Sequence, residues 1–316
     1  MSLERFTERF YHHLFTSDDA IIDLARETGF GSQLMTLRPI TAQWVDGGIH
    51  ALDGVLPVLR FSPLAIQDRL RLGLAVAYLK VTGDWRSLEL VTAADWLRRW
   101  MGQSVYETVW RPLLVGKFGE EHADRVPMSW LWARLHKRSM RLMYFEGGFQ
   151  AFADHLAQRL EAAGANLRYG QSVRRIDGGS RGLAVTVADE TLAFDRVIVT
   201  AGPHLLARMA PSLPGDYLQR LLALDYMGAA VAVLTLDRKL MDDVYWLSLD
   251  KREFPFLALV EHTNFIDRRH YGGDVVMYLG DYLPPTDPLL DMSEDEVFER
   301  WLPALTAINP EFSPSW

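Results

Sequence analysis

The stretch from Tyr144 to Pro203 constrains the fold most, because it sets one amphipathic helix ahead of strands too short to stand alone. YFEGG reads as a turn, and FQAFADHLAQRLEAAG as a helix closed by Gly164. Phe149, Phe152, Leu156 and Leu160 fall on one stripe, while Asp154, Gln158, Arg159 and Glu161 face away. NLRYG, SVRRID, LAVTVAD, TLAFD and RVIVTAG follow, each bounded by Gly or Asp and most rich in β-branched residues. RVIVT is a continuous apolar run, the pattern of a strand buried on both faces of a layered α/β sheet. The order is helix, strand, meander, buried strand, then a helix around Pro203 to Met209.

The flanks follow other patterns. SDDAIIDLARETG predicts a helix capped by Ser17 or Asp18 and ending near Gly29, and TAQWVDGGIHAL predicts two short strands joined at Asp46, Gly47 and Gly48. From Pro63 to about Arg141 apolar residues recur at spacings of three and four, so this block is helical, with Thr92 capping AADWLRRWMG. GAAVAVLTL, VYWLSL, FPFLALV and VVMYLG suit one antiparallel sheet, and Glu294 to Ala307 a last helix capped by Ser293. The chain is therefore α+β with one fragmentary α/β layer.

Composition narrows the function. With 33 basic against 41 acidic side chains the net charge is −8, which disfavours nucleic acid as a partner. The absence of cysteine removes disulfides and thiolate chemistry and fits a cytoplasmic location. MSLERFTERFYHHLF has no apolar core of a secretory signal, and no run approaches the ~20 apolar residues of a membrane span. SPLAIQDRLRLGLAVAYLK, with Arg69, Arg71 and Lys80, suits either a core helix with a solvated edge or an interfacial helix in peripheral membrane contact. The 10 Trp and 11 Met suit core packing or an adaptable apolar surface.

Sequence motifs exclude several chemistries. Gly29 and Gly31 form G-x-G, but position 34 is leucine and the pair ends a helix, so no dinucleotide cradle is visible. Neither G-x-S-x-G nor a metal-ligand spacing occurs, and no metal site is expected. Adjacent His12 and His13 point different ways, one packed and one solvated. The pairs Asp18–Asp19, Glu120–Glu121 and Asp242–Asp243 read as solvated faces or caps.

EGGFQAFADHLAQRLEAAGANLRYGQSVRRID, together with FDRVIVTAGP, resembles the central signature of flavin-dependent amine oxidases, protoporphyrinogen oxidases and phytoene desaturases. ERFYHHLFTSDDAIIDLARETG, RPLLVGKFGEEHADRVPMSWLWARL and LPALTAINPEFSPSW extend the resemblance over nearly the whole chain. It implies an FAD-dependent oxidoreductase that passes hydride or electrons from an apolar or amphipathic small molecule to FAD. Val173 would contact adenine through its backbone, Thr200, Ala201 and Gly202 would lie near the cofactor, and Gly147 and Gly148 would shape the turn. No catalytic acid or base is implied.

On this resemblance residues 1–61 link cofactor and substrate domains, and 62–143 form a helical substrate subdomain. Residues 144–210 are a segment of the Rossmann-like FAD-binding domain, and 211–316 an antiparallel-sheet substrate domain with a terminal helix. The family's opening G-x-G-x-x-G unit and its closing flavin motif have no counterpart here. The expectation is a truncated member with weak or absent FAD, completed by a complementing N-terminal FAD-binding chain. The alternative is a non-catalytic fragment that binds an apolar ligand or a partner chain.

Overall fold

The computed structural model describes residues 7–179 and 182–316; residues 1–6, where MSLERFTERFYHHLF begins, and residues 180–181 lie outside the described residues. The chain divides into two units, residues 1–156 with 227–316, and residues 157–226.

The first unit is built on a six-stranded sheet. Its strands are β3 (Ile40–Val45), β4 (Gly48–Ala51), β9 (Gly228–Leu236), β10 (Val244–Ser248), β11 (Ala258–Glu261) and β12 (Val275–Leu283). They lie in the order β4-β3-β10-β11-β12-β9. The β3–β4 hairpin turns where expected: Asp46 and Gly47 both take positive φ, as a two-residue hairpin loop demands. The single antiparallel sheet expected from the later strands is corrected in one respect. β3 enters the same sheet parallel to β10, because an apolar strand pattern records burial and not the identity of the neighbour.

Both faces of β12 are buried, and period two divides them. Val275, Met277 and Leu279 pack with Phe256, Trp301 and Leu305 beneath the terminal helix Glu294–Trp301. Ser293 closes that helix in a full capping box with Glu296. Val276 and Tyr278 point the other way, into an aromatic cluster. A small sheet of β1 (Leu14–Phe15), β5 (Leu142–Phe145) and β2 (Leu34–Leu37) contributes to that cluster through Phe15, Leu142, Tyr144 and Met35.

The helical block has its own core. Its helices include Val55–Arg60, Ile66–Val81, Trp85–Glu89, Ala93–Trp100, Arg111–Phe118 and Met128–Lys137. The Thr92 side chain accepts from Asp95 N–H at 3.1 Å, as a cap should, and Gly102 at positive φ follows the helix end. At the earlier helix, Asp19–Glu27, Asp18 sits at the cap position but spends its carboxylate on Phe15 N–H at 2.7 Å. On Ile66–Val81 only Leu72 and Leu79 are buried, while Ile66, Leu70, Leu74, Tyr78 and Val81 are exposed. The apolar stripe that reads as core is largely a surface.

The second unit holds the antiparallel meander β6 (Val173–Gly179), β7 (Gly182–Val187) and β8 (Glu190–Phe194), then helices Pro203–Met209 and Gly215–Leu222. The strand expected at RVIVT is not formed: residues 196–200 have no ladder partner and no backbone hydrogen bond among the described residues, and Ile198 is 91% exposed. NLRYG is likewise irregular, with Tyr169 73% exposed. A strand exists only through its neighbours' N–H and C=O groups, so an apolar run without a facing strand has nothing to pair with.

Gly116 sets the approach of Arg111–Phe118 to the sheet region, since a Cβ there would run into the Leu257 side chain. Gly116→Ala should cost roughly 1–3 kcal/mol through overpacking, less about 1 kcal/mol regained in helix propensity. In a Leu257→Ala background the same change should cost far less, a coupling that urea denaturation of the four variants will measure.

Candidate active site

β5 and the turn after it build the site. Tyr144 ends on the aromatic face, and Gly147 and Gly148 both adopt φ +80°, which a Cβ-bearing residue would resist. At Gly147 a Cβ would also lie 3.0 Å from that of Ala151. The turn brings Phe149 N–H to within 3.0 Å of Glu8 Oε1, and the Tyr144 hydroxyl donates to the same oxygen. Glu8 thereby ties the segment before β1 to the start of helix Gly148–Ala162. Beside it a crevice of about 10 Å³, room for roughly one water, lies between Met35, Tyr144, Gly147, Gly148, Ile266 and Tyr271. A larger groove of about 450 Å³ lies along Phe298, Leu302 and Phe312, but its charged residues Asp295 and Glu299 are solvent-exposed and no chemistry converges there.

The sheet supplies the remaining groups. Tyr11 packs edge-on to Trp246 at 4.9 Å and to Tyr278 at 6.0 Å, in the gap left by Gly280, where a Cβ would come within 2.6 Å of its ring. His13 Nδ1 meets the Tyr245 hydroxyl at 3.1 Å, while His12 is exposed and bonds the Phe10 carbonyl at 2.7 Å, so one imidazole is packed and one solvated. His262, fully buried, meets the Tyr271 hydroxyl through Nε2 at 2.7 Å, and its Nδ1 has no hydrogen-bond partner among the described residues. The Tyr278 hydroxyl and Glu8 Oε2 are also buried without a hydrogen-bond partner among the described residues.

Burial fixes the protonation states. It lowers His262 to about 3 and His13 to about 4, the latter helped by Arg138, so both are neutral near pH 7. It raises the phenols of Tyr11, Tyr144, Tyr245, Tyr271 and Tyr278, with Glu8 adding to all but Tyr11. His13, His262 and these phenols are therefore neutral donors, acceptors and rings, which orient a molecule and exclude water.

The residues expected to touch a cofactor fall in both units. Gly147 and Gly148 sit in the turn just described. In the second unit Val173 opens β6, whose outer edge is unpaired among the described residues, and Thr200, Ala201 and Gly202 are exposed ahead of Pro203–Met209. A Cβ on Gly202 would meet open space. Sequence reasoning missed Glu8, His262 and Tyr278; the alternation of β12, with Val276, Tyr278, Gly280 and Tyr282 on one face, was the available signal for the last.

Solved structures share this architecture. A protein from Exiguobacterium sp. 255-15, provisionally assigned as a protoporphyrinogen oxidase, aligns with a TM-score of 0.71 at 16% identity, over 98% of this chain and 73% of its own. A reduced UDP-galactopyranose mutase gives 0.68 at 14%, over 96% and 69%. A putrescine oxidase with putrescine bound gives 0.63 at 15%, over 94% and 69%. The fold is the α+β fold of FAD-dependent oxidoreductases. Residues 4–315 match the model of the flavin containing amine oxidoreductases, and the chain belongs to that family. It is thus a flavin-dependent oxidoreductase by descent, and its family implies FAD. No curated protein sequence matches it significantly.

The buried imidazoles predict a pH dependence. Each His takes a proton near 6.5 when unfolded but only near 3 or 4 when folded, so stability falls as pH drops through 6.5 towards 4. Glu261, raised by burial to about 7 against 4.5 unfolded, works in the opposite sense and adds stability over pH 7 to 4.5. His262→Phe should therefore flatten the fall between pH 6.5 and 4 by up to about 1.4 kcal/mol per pH unit, read by urea denaturation across pH. An unchanged slope would contradict a neutral buried His262.

Proposed function

We propose that the chain oxidises an apolar or amphipathic small molecule, which lies against the aromatic face of the six-stranded sheet and passes hydride or electrons to FAD. The observation that carries this reading is the half-buried aromatic edge of that face, Tyr11, Trp246 and Tyr282, against which a substrate can lie. It is backed by the neutral buried groups His262 and Tyr278, which do not compete for the substrate's proton. When bound, FAD supplies the two-electron acceptor. Val173 would hold it through the free backbone edge of β6, and Thr200, Ala201 and Gly202 through small, exposed surface. Gly147 and Gly148 shape the turn that carries Phe149 N–H.

Weak retention of FAD is part of the proposal. The sequence has no G-x-G-x-x-G turn, and residues 166–170 and 196–200 lack backbone partners among the described residues. A complementing chain that carries such a turn and pairs with 196–200 would supply both. The purified chain should show a visible flavin spectrum well below one per chain, with added FAD binding saturably. Gly202→Val should weaken that binding without lowering thermal stability, because the new side chain enters open space. A flavin held near one per chain through dialysis would overturn weak retention, and no saturable binding would remove the cofactor from these residues.

A second surface favours peripheral membrane contact. Leu74 (73% exposed), Tyr78 and Val81 (81% exposed) continue through the stacked pair Tyr78–Trp96 to exposed Trp100, with Arg99 over the Trp100 ring. No helix among the described residues is long and apolar enough to cross a membrane. The chain should cosediment with anionic vesicles, and Leu74→Glu with Val81→Glu should abolish this while leaving the fold intact by circular dichroism.

A further inference from the structure

One end of the aromatic face carries a group of cations that the redox reading leaves unused. Tyr282 lies on the same face of β12 as Tyr278 and Gly280, two residues on at each step, and Lys117 Nζ sits 4.0 Å above its ring. Arg134, from helix Met128–Lys137, lies 5.1 Å over Trp130. Arg138, one turn further along, donates to Thr41 Oγ1 at 3.1 Å, and its carbonyl accepts from Lys80 Nζ.

Lys117, Arg134 and Arg138 have no carboxylate within ion-pair distance among the described residues, whereas Arg98, Arg111 and Arg252 all find one. Asp281, the buried acid nearest this end of the strand, is already held by Lys251 at 2.8 Å. Asp53 acts on Arg138 only at longer range.

Packing dehydrates all three in part. Arg134 and Arg138 are exposed by area, yet burial is the largest influence on both and pulls each below the usual guanidinium range. Lys117 is lowered to about 8 by burial and by Arg134, and Arg134 in turn lowers Arg138. Helix C-termini attract cations, and Lys117 and Arg134 each lie in the last turn of their own helix. That effect does not require the two ends to meet, as they do where Phe118 packs on Trp130 at 4.8 Å and Lys117 covers Tyr282. Three cations held together, partly dehydrated and without counter-charge are destabilising unless an anion enters.

We propose that Lys117, Arg134 and Arg138 bind an oxyanion group, carboxylate or phosphate, on the substrate, whose apolar body then lies along Tyr282, Tyr11 and Trp246. The substrate is thus an elongated amphiphile with an anionic head. This deepens the reading of the aromatic face as the substrate site. The guanidinium forks suit bidentate oxygens, and the ammonium adds a point charge. Neutral His13, beside Tyr245 and under the influence of Arg138 and Arg134, leaves the transition from head to body uncharged.

Calorimetric titration of the full chain with inorganic pyrophosphate, with suberate and with 1,4-diaminobutane tests this. Saturable binding of an anion, and not of the diamine, is expected, and the tighter of the two anions names the head group. Arg134→Gln with Arg138→Gln should weaken it by at least about tenfold, Lys117→Gln should weaken it too, and Arg134→Lys with Arg138→Lys should restore part. Arg86→Gln, a surface charge on the Trp85 ring, should leave it unchanged. Near-UV circular dichroism separates lost binding from lost fold. No anion binding, equal binding by the variants, the same loss in Arg86→Gln, or preference for the diamine would each overturn the proposal. Since no flavin is needed, these outcomes are independent of the flavin measurements.

Discussion

Burial of both faces of β12 is the constraint on which the first unit depends. An antiparallel strand in a small protein can leave one face to water, but here Val275, Met277 and Leu279 face one core while Val276 and Tyr278 face another. Each large side chain fully buried contributes about 1.5–3 kcal/mol, so neither face can be uncovered cheaply. The terminal helix covers the first. The second is covered by aromatic rings, and rings bring hydroxyls and imidazoles that must find partners in a dry place.

That requirement turns packing into chemistry. His262 Nε2 and Tyr271 satisfy each other, Tyr144 finds Glu8, and the Tyr278 hydroxyl and His262 Nδ1 have no partner among the described residues. Burial then holds His262 and the phenols of Tyr144, Tyr271 and Tyr278 in their neutral forms. In a flavin enzyme the cofactor carries the redox step, so a neutral, water-excluding, orienting surface is the contribution asked of the protein. Among the described residues Lys117, Arg134 and Arg138 gather towards the Tyr282 end of the face.

The readings from sequence succeeded where local physics suffices. Thr92 and Ser293 cap helices because a hydroxyl reaches an orphan N–H three residues on, and Asp46–Gly47 turns because those residues tolerate positive φ. The meander at 173–194 formed as its alternation and turns required. RVIVT did not, since its partner strand is not encoded in its own residues. The stripe of helix Ile66–Val81 was legible as apolar, but periodicity cannot say whether an apolar stripe faces a core or water.

The sequence by itself determined the family, through the order and spacing of its Gly-bounded elements, and the positions of most caps and turns. Tertiary structure alone decided the site. Glu8 and Tyr144 are separated by more than a hundred residues, as are Tyr11 and Gly280, and Lys117 meets Tyr282 from another layer. Such contacts depend on which faces are buried together. That is a property of the whole sheet and its covers, so no local pattern records it.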